Sequence, residues 1–198
     1  MRFSHLWDQI RARNPEHSFN YAKRWAAIEA SGNDIYGEAR LIDALAERGS
    51  RILDAGCGTG RLGGYLAKAG HQVVGIDIDE ILIAEAKQAH PESTWVVGDI
   101  ADSESVEALG TFDIVFSAGN VLTFLDPASR RVTIANLARA LRSGGRLVNG
   151  FGAGRGYEFS EYDNDVRAAG LEIMGRYASW TLDPFSDSSG FLVSMSRA

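Results

Sequence analysis

A single cysteine, Cys57, stands in the 198 residues, so no disulfide can close within the chain and a reducing, cytoplasmic setting suits it. Its four histidines, His5, His17, His71 and His90, are too widely spread to give the ligand spacing of a metal site. No serine occupies a G-x-S-x-G turn, which leaves hydrolase chemistry without support. No apolar run is long enough to span a bilayer, and Met1 to Asn14 mixes charge with apolar residues where a signal peptide needs an unbroken apolar stretch. A basic stripe with interleaved aromatics is also missing and the net charge is −6, so no nucleic acid or membrane partner is expected. A small molecule, neutral or cationic, fits that charge better.

What is present is an ordinary globular composition, 45% hydrophobic and 23% charged, without repeats, low-complexity tracts or linkers. The chain reads as one domain, 1–198, with a helical arm or lid over 1–48 and an α/β core over 49–198. In the core, apolar runs alternate with helical spacing. Strands are expected at Ser50 to Asp54, Gln72 to Asp77, Thr94 to Gly98, Phe112 to Ser117 and Gly145 to Gly150. Between them fall helices marked by Leu62, Leu66 and Ala69, by a cap at Asp79, and by Asp126-Pro127 ahead of the stripe Ile134, Leu137, Ala138 and Leu141. Ser143-Gly144-Gly145 is expected to stop that last helix. Repeated strand–helix–strand units imply a parallel sheet with helices on both faces.

After a helix around Tyr162, Val166 and Ala169, Leu171 to Thr181 and Phe191 to Ser196 follow as strands with no room for a helix between them. They are expected to pair antiparallel at one sheet edge, giving seven strands with the last reversed. The arm divides into three helices: one on Phe3, Leu6, Trp7 and Ile10, one capped by Ser18, and one on Ile35, Ala39, Ile42 and Leu45. It is expected to cover the open edge of the sheet.

The most informative stretch is Asp54-Ala-Gly-Cys-Gly-Thr-Gly60, where a buried strand turns directly into a helix N-terminus. Such turns receive nucleotide-containing ligands, because glycine lets the backbone approach the ligand and the helix end favours negative charge. Two registers compete. Gly58, Gly60 and Gly63 match G-x-G-x-x-G, the dinucleotide fingerprint, but push Ala55 to Cys57 into the strand. Starting at Gly56 instead puts the turn where the apolar run ends and gives Asp54 a place. Asp77 ends the second strand, where a carboxylate accepts ribose hydroxyls. Asp99 ends the third, placed to accept from an exocyclic amine, with Ile78 and Ile100 either side of the ring.

Together these residues resemble the class I S-adenosylmethionine-dependent methyltransferases. Asp54 to Gly60, Val73 to Asp77 and Gly98-Asp99-Ile100 are similar to that family's first three motifs. Phe112 to Leu122 and Leu141 to Val148 are similar to its later ones. The resemblance implies a Rossmann-like seven-stranded sheet and S-adenosyl-L-methionine as cofactor, with S-adenosyl-L-homocysteine as product. It implies that Asp54, Gly56, Cys57, Gly58 and Gly60 surround the methionine moiety, with Asp77 at the ribose and Asp99, Ile78 and Ile100 at adenine. Ser117 to Asn120 would line the methyl-bearing side, and Arg24 is a candidate for the cofactor carboxylate. The proline-aromatic run of enzymes that methylate nucleobase or amide nitrogens is missing from Ser117-Ala-Gly-Asn-Val121.

The implied activity is in-line methyl transfer to a small-molecule acceptor, for which orientation alone supplies about 7–11 kcal/mol in favourable cases. No catalytic base is assigned. Acceptor-side candidates are His17, Tyr21 and Arg24 in the arm and Tyr157, Glu158 and Tyr162 after the fifth strand. The lone Cys57 reads as a small filler and the four tryptophans as packing residues. An NAD(P)-dependent oxidoreductase, or a cofactor-binding protein without turnover, are the competing readings.

Overall fold

Apolar runs bounded by glycine and charge become the strands, and apolar residues three and four apart become the helices. The computed structural model describes residues 3–198; Met1 and Arg2, counted above in the arm, lie outside them. The arm holds α1 (Leu6–Arg13), α2 (His17–Ala30) and α3 (Gly37–Leu45). The core begins with β1 (Arg51–Ala55), α4 (Arg61–Lys68), β2 (Gln72–Asp77), α5 (Glu80–Ala89), β3 (Thr94–Val97) and α6 (Ser103–Glu107). Then come β4 (Phe112–Ser117), the single turn α7 (Val121–Phe124), α8 (Arg130–Arg139), β5 (Leu141–Gly152), α9 (Phe159–Ala168), β6 (Glu172–Tyr177) and β7 (Phe191–Arg197).

The seven strands form one sheet in the order β3-β2-β1-β4-β5-β7-β6. β1 to β5 pair in parallel, while β7 runs antiparallel to both β5 and β6. The reversed last strand is therefore as expected, and β7 inserts between β5 and β6 so that β6 is the edge. The order turns back at β1, which opens a crevice at the carboxyl ends of β1 and β4.

Alternation along the strands builds two apolar layers. Leu53, Val115, Leu147 and Leu192 face one way, onto Ile134, Leu137, Tyr162 and Val166 of α8 and α9. Ile52, Ile114, Val148 and Val193 face the other, onto Ala39, Ile42, Leu62, Leu66 and Ile83 of α3, α4 and α5. Ile52 and Leu53 are wholly buried, and each such side chain contributes about 1.5–3 kcal/mol.

Three expectations are corrected. Leu141 is not the end of the α8 stripe: it pairs with Phe112 in the sheet, and Arg142 to Gly145 then bulge out before Arg146 pairs with Ile114. The double glycine serves that bulge, since a Cβ at Gly145 would lie 2.8 Å from the Arg142 carbonyl oxygen. β6 stops at Tyr177, because Ser179, Thr181 and Asp183 form a local turn in which the Ser179 hydroxyl donates to Asp183 at 2.6 Å. Ser18 does not cap α2: it lies buried one residue inside the helix and donates to Asp79 at 2.5 Å.

Candidate functional site

The arm does not cover the lateral edge of the sheet. Its third helix, α3, packs on a face of the sheet beside α4, while the segment of α1 and α2 folds over the carboxyl ends of β1, β2 and β3, held there by three carboxylates. Asp79 Oδ2 accepts from the Trp7 indole at 2.8 Å and from Ser18, with Arg11 at 3.4 Å. Asp99 Oδ2 meets His5 Nε2 at 2.9 Å, and Asp126 Oδ2 accepts from the Ser4 backbone N–H at 3.1 Å. Beneath the arm lies a partly open cavity.

The glycine turn forms the floor. Gly56 and Cys57 donate their N–H groups to the Ile76 carbonyl at 2.8 and 3.1 Å, which ties the turn to the end of β2. Gly56 has φ +82°, and a Cβ there would stand 2.5 Å from Val121. Gly58, φ +53°, donates to Asp77 Oδ2 at 2.8 Å and meets the Tyr21 ring from the arm. Both positive φ values favour glycine, and at Gly56 only glycine also leaves room for Val121.

Gly63, the last glycine of the dinucleotide register, has a packing role instead. Trp95 rests on Gly60, Gly63 and Gly75, where added Cβ atoms would lie 2.9, 2.8 and 2.3 Å from its ring.

Three acids stand at or just beyond the carboxyl ends of β1, β2 and β3 around this floor. Asp54, 2% exposed, accepts from the Gly63 N–H at 3.1 Å. Burial pushes its carboxyl up to about 7, against the pull of Arg61 and the Gly63 N–H. Asp77 takes one backbone donor on each oxygen, Gly58 and Asp79, and burial raises it to about 6. Asp99 accepts from the Ala101 N–H at 2.8 Å on Oδ1. Each Asp77 and Asp99 oxygen retains a lone pair for a ligand donor. Between them Ile78, Leu82, Ile100, Val121, Phe124 and Leu125 make the remaining wall apolar.

A second, smaller cavity adjoins the first at Tyr21, Gly56 and Gly119, with Trp25, Asp54, Cys57, Thr59 and Arg61 in its lining. The Arg61 guanidinium lies 4.1 Å over the Trp25 ring and 3.2 Å from Glu38, so both α2 and α3 grip it. Burial raises the Cys57 thiol well above its usual range and the Tyr21 hydroxyl above its own.

The structure thus brings Asp54, Gly56, Cys57, Gly58, Asp77, Ile78, Asp99 and Ile100 together around the two cavities. Gly60 instead caps α4 beneath Trp95. Three other candidates fall elsewhere. Arg24 is on the exposed face of α2, and the guanidinium in the cavity wall is Arg61. Ser117 is buried with its hydroxyl unpartnered, on the Val115 side of β4, while Asn120 spends its amide oxygen on the Gly152 N–H at 2.7 Å. Gly119, between them, lines both cavities.

Tyr157 and Tyr162 are core residues, bonded to Asp165 and Asn149, and Glu158 is exposed. His17 packs edge-on to Trp7, and only Tyr21 of the acceptor-side candidates reaches the cavity. Sequence reasoning missed His5, Trp7 and Arg61 as site residues. Arg61 had a local signal, standing directly after the glycine turn; His5 had none, being 94 positions from its partner.

Among the described residues no group of three His, Cys, Asp or Glu side chains is arranged to hold a metal ion, and no helix is long and apolar enough to cross a membrane.

Comparison with known proteins gives the family of the chain. The methyltransferase domain family matches residues 52–145. The solved structure of a TehB-like SAM-dependent methyltransferase from Corynebacterium glutamicum is 54% identical, with a TM-score of 0.88 over 92% of this chain and 98% of that one. An uncharacterized methyltransferase of Synechocystis sp. is 31% identical over 62% of this chain and 56% of its own length. Magnesium-protoporphyrin O-methyltransferase of Rhodobacter capsulatus is 39% identical over 48% and 42%. The chain spans about half the length of these two curated relatives. By its near full-length likeness to the Corynebacterium structure, the chain belongs to the family of S-adenosylmethionine-dependent methyltransferases.

Proposed function

We propose that this chain binds S-adenosyl-L-methionine in the joined cavities and transfers its methyl group to a small-molecule acceptor. The observation that carries the reading is the convergence of Asp54, Asp77 and Asp99 with Gly56 and Gly58 around one partly apolar space. The donor set fits the group. Asp77 offers two acceptor oxygens suited to ribose hydroxyls, and Asp99 offers acceptors to an amino-purine flanked by Ile78 and Ile100. Arg61 supplies the guanidinium for a carboxylate and Asp54 the charge for an ammonium group.

When bound, the sulfonium supplies an already activated methyl group. What the chain adds is orientation and water exclusion: Trp7 and Tyr21 close the cavity from the arm, and Gly119 leaves an approach without a side chain. Calorimetry with pure protein is the test. Binding of S-adenosyl-L-homocysteine, with no binding of NAD or NADP, is expected; the reverse pattern would establish the oxidoreductase reading instead. A screen for homocysteine-product release across pooled metabolites then separates an enzyme from a cofactor-binding protein without turnover and identifies the acceptor.

A further inference from the structure

His5 is 3% exposed and makes two hydrogen bonds that together determine its proton position. Its Nδ1 lies 3.0 Å from the Asp126 backbone N–H. That N–H can only donate, so Nδ1 holds a lone pair and the ring proton sits on Nε2. Nε2 is 2.9 Å from Asp99 Oδ2, and therefore donates to it. The Asp126 carboxylate does not compete for the ring, because its oxygens accept from the Ser4 and Ala128 N–H groups at 3.1 and 3.0 Å.

The consequence falls on Asp99. Its Oδ1 faces the Ala101 N–H at 2.8 Å and its Oδ2 faces His5. Both oxygens thus accept from a donor supplied by the protein, one from the backbone and one from the arm. These two contacts fix the Asp99 carboxylate in rotation. Its side chain keeps 21% of its surface and lines the cavity, so the remaining lone pairs face the ligand. An acceptor-only carboxylate attracts an exocyclic amino group and repels a carbonyl oxygen at the same place.

We infer that His5 is a positioning residue that makes this pocket select an amino-purine over a keto-purine, acting from the arm through Asp99. This rests on the cofactor reading above and deepens it. It also makes base selection depend on arm docking, since Ser4 and Trp7, on either side of His5, are bonded to Asp126 and Asp79.

The test is calorimetry with two probes, S-adenosyl-L-homocysteine and S-inosyl-L-homocysteine, which differ in an amino group against a carbonyl oxygen on the purine. The wild-type chain is expected to prefer the adenosyl compound. His5→Phe, which fills the space and donates nothing, is expected to reduce that preference about tenfold, the worth of one hydrogen bond to a charged group. His5→Gln, whose amide restores a donor toward Asp99, is expected to recover most of it. If both variants weaken the two probes by the same factor, His5 is a structural clasp and the inference is overturned. If the wild type binds both probes equally, it is overturned while the cofactor reading stands. If the wild type binds neither, the cofactor reading itself fails. Should His5→Phe not fold, as judged by circular dichroism, His5→Leu, smaller and likewise without a donor, takes its place: a reduced preference supports the inference and an unchanged one overturns it.

Discussion

Asp54 and Asp77 hold their protons more tightly in the fold than in the unfolded chain, because burial disfavours the charged form. Both folded values, about 7 and about 6, stand above the ordinary 3.8. The stability these groups contribute is thus present below about pH 4 and is lost as pH rises through 6 and 7. A ligand that brings an ammonium group to Asp54 and hydroxyl donors to Asp77 favours the ionised forms and reverses the penalty. S-adenosyl-L-homocysteine should therefore bind with proton release near pH 6, and its affinity should rise between pH 5 and pH 8. Calorimetry in two buffers of different ionisation enthalpy reads the released proton directly; a pH-independent affinity would exclude these carboxylates from the contact. Cys57 shares this burial, and its raised thiol, packed against Gly75, suits a filler and not a nucleophile.

Among the elements, α5 and the arm are joined by one side chain. Asp79 Oδ1 caps α5 by accepting from Ile81 and Leu82, while Oδ2 receives Trp7, Ser18 and Arg11. Asp79→Ala removes a helix cap worth roughly 0.5–2 kcal/mol. It also leaves the Ser18 hydroxyl, buried in α2, without its acceptor, at about 1–3 kcal/mol more. The expected result is a lower urea midpoint together with faster trypsin cleavage after Arg11 and Arg13. Lower stability with unchanged arm cleavage would mean that the arm is held without Asp79.

This junction also marks where sequence reading succeeds and fails. The cap at Asp79 was legible, because capping is local and an acid ahead of an apolar helix announces it. Ser18 carried an equally good local signal and was misread, because a carboxylate 61 positions away takes its hydroxyl. Leu141 fitted the helical stripe of α8 just as well as it fits the strand it joins, so spacing alone could not assign it. The Asp54, Asp77 and Asp99 series was readable because each acid ends its own apolar run. Arg61 was overlooked in favour of Arg24 because the choice depends on how α2 and α3 close over the turn, which no local pattern encodes.

At the scale of the molecule, the sheet order places the ends of β1 to β4 side by side, and the arm completes the enclosure from outside the sheet. Ligand contacts would then fall on the glycine turn, three strand ends and the arm together. A ligand so placed stabilises the chain as a unit instead of tightening one loop. At a hundred times its dissociation constant, S-adenosyl-L-homocysteine should add about 2.7 kcal/mol. In a chain of this size that corresponds to a rise in Tm of about 5–10 °C. Hydrogen exchange should show where the stabilisation reaches. Amides of α1 and α2 should gain protection with those of the glycine turn, because His5, Trp7 and Ser18 tie the arm to acids beside that turn. A rise in Tm with protection confined to residues 52–100 would show that the arm closes independently of the ligand. Protection that extends into the arm would make lid and pocket one cooperative unit, in which the cofactor completes the surface that meets the acceptor.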